Sequence, residues 1–388
     1  MLTDPLAESI AEAELLVAGA PHIRTEQDLA EGYQYLAGSI LATLHAAWAT
    51  EREHPTFVQG TGPYMKMGLD NPDTLYFGAR ISDNEEYLVT GKRGTTADLS
   101  FQVLDGNYTS ANVPGSVNAF DDRDLDIEAD GSFTVRFGPE PVNGRRNYFT
   151  LAPGSTQLVV REVYSDWTQV RGTIRIARVD TAGTPTTPLT TENAERRFAR
   201  AGKSLVSRVK TWLKFPEWFY LNLPVNTMTE PRLTPGGLAT QYSSVGHFDL
   251  RDDQAMIITV PRSDAPYQGF QLGSLWYISL DYIGHQTSLN GAQSQVDPDN
   301  MIRLVVSARN PGIANWIDTM GHARGYLQFR WQRLDRALAA TDGPTVAVVA
   351  CDDVAASLPF HHTNVITAEQ FRDRIAARRA AVADRMLG

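Results

Sequence analysis

The apolar positions along this chain change period several times, and those changes divide it. Residues 7–18 are rich in Ala, Glu and Leu, which favour helix. Thr25 then supplies an N-cap ahead of Glu26-Gln27-Asp28, and Leu29, Tyr33, Leu36, Ile40, Leu44 and Trp48 recur three or four apart up to about Arg52. That spacing is one face of a helix, expected to pack on the domain that follows. From about Thr74 the texture becomes short β-rich runs at 87–90, 99–104, 133–137, 157–161 and 172–176, separated by Gly, Asn and Asp turns. Asp130-Gly131 is a hairpin-type turn signal.

A Thr/Pro-rich stretch at 181–191 reads as a linker. Residues 192–214 read as helix and carry Arg196, Arg197, Arg200, Lys203, Arg208 and Lys210. This basic patch is expected to be the solvated face of a helix bridging two domains, with a membrane-surface or anionic-ligand role as the alternative. A second β-rich segment runs over 241–349. The chain closes with a helix whose Thr367 and Gln370 have capping-box spacing. Phe371, Ile375, Val382 and Met386 give it a sparse apolar side, so with five arginines from Arg372 to Arg385 it should dock by one stripe and expose the rest.

The two β-rich segments align with each other. Asp83 and Asp252, Gln102 and Gln271, Asp130 and Asp299, and Arg161 and Arg330 share an offset of 169 residues (252 − 83), and Asn147 and Asn315 differ by 168 (315 − 147). A near-constant offset over eighty residues marks an internal duplication. The fold class that follows is mainly β with flanking helices (α+β), built as two tandem jelly-roll-like β-sandwich domains. The expected organisation is a helical segment at 1–60, a first sandwich at 61–180, a linker and bridging helix at 181–235, a second sandwich at 236–350 and a C-terminal helix at 351–388.

Asn71-Pro72-Asp73-Thr74-Leu75-Tyr76 resembles the N-R-D-T-L-Y element of the bacterial paired domains of unknown function numbered 1254 and 1214. The stretch from Asp130-Gly131-Ser132 through Asn147-Tyr148 to Val159-Val160-Arg161 is similar to that family's D-G-S, N-W-L-P-A-P and L-R-L-Y region, and the second copy, with Asn315-Trp316, resembles it too. Pro72 stands where the family has Arg, and Tyr148-Phe149 where it has Trp-Leu. The resemblance spans most of 70–335 and implies a double β-sandwich; it implies no particular reaction.

Composition narrows the function classes. A length of 388 residues suits two domains, and a net charge of −10 argues against a general nucleic-acid binder. Cys351 is the only cysteine, which rules out an intramolecular disulfide and Cys-based metal sites. The start of the sequence has no basic and apolar leader pattern, and residues 36–48 are too short an apolar run to span a bilayer, so no integral membrane segment and a cytoplasmic location are expected. The eight histidines lack metal-ligand spacing, His361-His362 reading as a surface pair. A Gly-rich loop ending in Gly-Lys-Ser/Thr, G-x-G-x-x-G between strand and helix, and G-x-S-x-G are absent from the sequence. No cofactor or metal is expected; the partner is a small-molecule substrate, and a homo-oligomer is left open.

The copies diverge after the matched Phe-Gln, where the second runs from Trp276 to Gln293. Loops that differ between repeats are where functional groups concentrate. Asp281, Tyr282 and His285, with Asp73, are the expected acid–base groups. Asn71, Tyr76, Gln271, Trp276, Asn290, Gln293 and His322 are the expected substrate contacts, with His322 and Asp318 in reserve for acid–base work, Tyr277 beside Trp276 as a second aromatic wall, and Asn147 and Asn315 as structural turn residues. The function expected is a cofactor-free lyase (dehydratase) or hydrolase acting on a small, largely apolar hydroxylated molecule. The alternative is a non-catalytic sandwich presenting Trp276, Tyr277 and Tyr282 to a carbohydrate or lipid.

Overall fold

The computed structural model describes residues 1–388 apart from Asn143, Pro235, Gly236 and Gly388. In the first copy, β1 (Thr74–Arg80), β2 (Tyr87–Lys92), β3 (Asp98–Leu104), β4 (Ser116–Asp121), β5 (Ser132–Gly138), β6 (Tyr148–Thr150), β7 (Gln157–Val163) and β8 (Thr173–Arg178) form two sheets. These are ordered β1-β7-β3-β4 and β6-β5-β2-β8. Two short strands follow, β9 (Thr227–Met228) and β10 (Arg232–Leu233).

The second copy then comprises β11 (Tyr242–Asp249), β12 (Gln254–Pro261), β13 (Tyr267–Gly273), β14 (Ser288–Asn290), β15 (Met301–Ser307), β16 (Trp316–Asp318), β17 (Arg324–Gln332) and β18 (Thr345–Ala350). Its sheets run β10-β11-β17-β13-β14, with β9 also on β11, and β16-β15-β12-β18. Apart from β9 and β10, the strand orders of the two copies are identical. Even the exceptions correspond: β5-β6 and β15-β16 pair in parallel, whereas their neighbours pair antiparallel.

Period-2 alternation explains both faces of these sheets. Val89, Phe101, Val103, Val135, Leu158 and Val160 fill the first sandwich. Ile258, Phe270, Leu272, Leu304, Leu327 and Phe329 fill the second. Between them in sequence stand polar residues on the opposite face. There Arg161 Nη1 donates to Gln102 Oε1 at 2.7 Å, and Arg330 Nη1 donates to Gln271 Oε1, the same pair repeated. Asn147 brackets the backbone N and O of Asp126 (2.8 and 2.9 Å), and Asn315 does the same to Gln295 (2.8 and 2.7 Å). These asparagines pin equivalent loops to the sheets, as expected of structural residues.

Helices α1 (Asp4–Ala18), α2 (Glu26–Ala49) and α3 (Thr191–Phe219) pack together and against the second copy. Thr25 and Asp28 form a reciprocal cap at 3.0 Å each way. The buried line of α2 is rotated from the expected stripe: Gly32, Tyr35, Leu36, Ser39, Ala42, Thr43 and Ala47 are buried, while Tyr33 is 42% exposed. Close approach is the reason. A Cβ on Gly32 would lie 2.3 Å from Trp276 Cζ2, and one on Gly38 2.6 Å from the Tyr64 carbonyl.

The basic patch of α3 also departs from expectation. Arg197 donates to the Trp48 carbonyl at 2.7 Å, Arg200 to that of Ala47, and Arg208 to that of Lys66 at 3.0 Å. These arginines are part-buried; Arg197 and Arg200 satisfy carbonyls of the last turn of α2, where no helical partner exists, and Arg208 one in the irregular connection between α2 and β1. They are therefore not simply a solvated face.

After α4 (Val354–Ser357) and α5 (His361–Asn364), the Thr367–Gln370 capping box opens α6 (Ala368–Leu387). This helix docks through arginines more than through its aliphatic stripe. Arg378 donates to the carbonyls of Tyr282 (2.9 Å) and Ser288 (3.0 Å), and Arg385 to that of Pro72 (3.0 Å). Both guanidinium groups lie over the Trp167 ring, at 4.6 and 4.4 Å. Irregular segments leave carbonyls without strand partners, and buried ones need donors. Among the described residues, no helix is long and apolar enough to cross a membrane.

Candidate active site

The segment between α2 and β1 organises the polar centre. It turns at Gly68 and Leu69, both in the left-handed region (φ +64° and +50°). It then runs alongside the divergent loop of the second copy: Leu69 N donates to the Tyr277 carbonyl at 2.7 Å, and Ser279 N and Oγ donate to the Asp70 carboxylate at 3.0 and 2.8 Å. Two stretches 200 residues apart are thus held together by hydrogen bonds.

Beyond the turn lies a closed cluster. Asn71 Oδ1 accepts from Asp73 N (3.1 Å), and Asn71 N donates to Tyr76 Oη (2.9 Å). Asp73 accepts from Tyr267 Oη (2.8 Å), Asn290 Nδ2 (3.0 Å) and Trp167 Nε1. Gln271 Nε2 donates to the Asp70 carbonyl (2.9 Å). The structure therefore brings together Asn71, Asp73, Tyr76, Gln271 and Asn290 as the sequence suggested. Tyr282, its pKa raised by burial, joins Asn71 and Tyr76 in lining a small space beside this cluster, which Asp73, Gln271 and Asn290 do not border. That space measures about 20 Å³, enough for one water and no substrate.

Before the turn the chain borders a larger cavity, of about 330 Å³, within the range of small-molecule sites. Its walls are largely apolar, including Tyr35, Leu41, Ile278, Leu280 and Met320, and three charged groups line it: Glu31 from α2, Lys66, and Asp281 from the second copy. Lys66 Nζ donates to the carbonyls of Ser279 and Leu280, 2.9 Å each, and lies 4.9 Å from the centre of the Tyr282 ring. Two of its three N–H donors are used. Burial lowers the Lys66 pKa, against the opposing pull of Asp70, Asp281 and Glu31. Glu31 Oε1 is 2.8 Å from His322 Nε2, a buried imidazole that fixes the carboxylate.

Asp281, at the larger cavity, is exposed, and its Oδ1 accepts from the N–H groups of Ile283 (2.8 Å) and Gly284 (3.0 Å). The remaining expected residues fall elsewhere. His285 pairs with Asp318 at 2.8 Å, is 43% exposed, and borders neither cavity. Gln293 Oε1 accepts from Asn290 N at 3.1 Å, a turn contact. Trp276 is buried beneath α2, its indole donating to the Asp28 carbonyl at 2.7 Å. Tyr277 is buried too, at a positive φ of 56°, against Trp212 and Phe215. The expected aromatic wall is therefore core. Glu31 and Lys66 were not anticipated; the only sequence signals were a lone Lys before Gly68 and an acidic residue beside a helix glycine.

No protein-family model matches the sequence, and no curated protein does. Among solved structures, the chain is similar to an uncharacterised protein from Burkholderia cenocepacia, with 26% identity and a TM-score of 0.79 over 90% of this chain and 96% of that one. A protein from Vibrio parahaemolyticus aligns over 88% of this chain and 100% of its own at 11% identity, with a TM-score of 0.44. The first likeness supports the double sandwich with its flanking helices as the fold.

Proposed function

We propose that the cavity lined by Glu31, Lys66 and Asp281 is the active site of an acid–base enzyme acting by elimination or hydrolysis on a small, largely apolar molecule bearing a hydroxyl or ester. One observation carries this reading: titratable groups from three distant parts of the chain line one largely apolar cavity of about 330 Å³. In an elimination, Glu31, held by His322, takes the C–H proton. The C–O bond breaks as Lys66 gives its proton to the departing oxygen, which leaves as water. Burial weakens the hold of Lys66 on that proton, which suits a proton donor. In a hydrolysis the same carboxylate activates water and Lys66 protonates the leaving alkoxide.

Membership of the paired domains numbered 1254 and 1214 is part of the proposal. It is supported by the Asn71-to-Tyr76 element, which forms the floor joining the two copies. The binding-only alternative loses its support, because Trp276, Tyr277 and Tyr282 are each less than 5% exposed.

The test is a mass-spectrometric turnover screen of the intact protein against small hydroxylated and ester compounds. A genuine substrate should lose roughly 10²-fold or more in kcat with Lys66→Met and with Glu31→Gln. Turnover untouched by both substitutions would overturn the assignment.

A further inference from the structure

A second, larger cavity of about 700 Å³ is bounded by α3, the α1–α2 connection, β11 and the start of β17, and shares no lining residue with the Lys66 cavity. Leu213, Leu221, Val225, Phe248 and Leu275 give it apolar walls. Its charged lining is Arg24, Lys210, Lys214 and Arg324 against Glu217 and Asp249, an excess of positive charge in a chain whose net charge is −10.

The cations differ in what engages them. Lys210 is paired with Glu12 and Lys214 with Glu217. Arg324 spends one donor, on the His22 carbonyl at 3.0 Å. The Arg24 guanidinium has no hydrogen bond or ion pair among the described residues, and only its backbone N is engaged, by Asp28. His22 lines the same cavity, and its Nε2 is enclosed without a partner. Burial lowers the His22 pKa to about 4, so the ring is neutral near pH 7 and leaves the cavity's cationic work to the arginines.

Guanidinium groups bind carboxylates through parallel, charge-assisted N–H bonds. Two with unspent donors beside a leucine-lined hollow suit a ligand with an anionic head and an aliphatic body, whose transfer from water favours binding. We infer that this cavity binds an aliphatic monocarboxylate, its carboxylate held by Arg24 and Arg324 and its chain laid against Leu213, Leu221 and Leu275.

Calorimetric titration of the intact protein with decanoate and with methyl decanoate tests this. Decanoate should bind at least about tenfold tighter than the neutral ester. Arg24→Gln, at an exposed position, and Arg324→Gln should each erode that preference while leaving ester binding unchanged. Thermal unfolding of each variant separates loss of the site from loss of the fold, and Arg24→Gln alone decides the matter if Arg324→Gln does not fold. Equal affinity for acid and ester, or a preference that survives Arg24→Gln, overturns the inference. Loss of decanoate binding in Lys66→Met with Arg24→Gln silent would also overturn it, by placing the ligand in the other cavity.

Discussion

The side-chain amide of Asn290 donates to Asp73 Oδ1 at 3.0 Å, across 217 residues of chain. With Tyr267 and Trp167 donating to the same carboxylate, Asp73 ties the entry of the first copy to the second. Removing one buried acceptor strands several donors at once. Asp73→Ala should cost about 3–5 kcal/mol in urea unfolding, and Asn290→Ala about 1–2 kcal/mol. A loss below about 1 kcal/mol for Asp73→Ala would contradict this account.

Gly32→Ala should destabilise even though alanine is the better helix former. The added Cβ meets Trp276 at 2.3 Å, and the Trp276 indole is tied to the Asp28 carbonyl, so the ring has little freedom to retreat. Overpacking of this kind costs about 1–3 kcal/mol, which exceeds the propensity gain of about 1 kcal/mol. A fall of several degrees in Tm is expected; an unchanged or raised Tm would contradict it.

Asp281 and His285 should separate in function. Asp281 lines the 330 Å³ cavity and His285 does not. With a substrate in hand, Asp281→Asn should reduce turnover roughly tenfold or more, whereas His285→Ala should leave kcat within about twofold. The reverse ranking would move the active site to the His285–Asp318 pair.

Stability should depend on pH through Asp98. This carboxyl is buried, with Asp121 and Asp122 nearby and Arg333 Nε at 3.8 Å, and its pKa is pushed up to about 7, burial being the main cause. A raised folded pKa means that its contribution is fully present below the unfolded value near 4 and is lost as pH rises through 7. Asp98→Asn removes that titration. Its stability relative to the parent protein should therefore grow between pH 5 and pH 8, by about 2–3 kcal/mol in paired urea titrations. A difference that does not change with pH would contradict it.

Arg378 and Arg385 hold α6 through carbonyls and the Trp167 ring. Arg378→Met should release the helix locally, read as faster amide exchange over 368–387 with the sandwich strands unchanged. Exchange indistinguishable from the parent protein would show that the aliphatic contacts suffice.

What the chain reveals on its own is periodic and repeated. Alternating positions place Phe101 and Phe270 in cores, the offset of 169 (270 − 101) matches strands across the copies, and Thr25 and Thr367 mark helix starts. Such signals are legible because burial on a strand or helix face repeats within a few residues. The polar centre is different. Asn71, Asp73 and Asn290 were visible as unusual residues, yet that Trp276 is core, that His285 stands apart and that Glu31 and Lys66 share a cavity follow only from packing. Their partners lie some 30 to 300 residues away, and no local pattern encodes which buried carbonyl a lysine or arginine will meet. The duplication was written in the sequence; the cavity beside the joined loops was decided by how two copies and three helices close on one another.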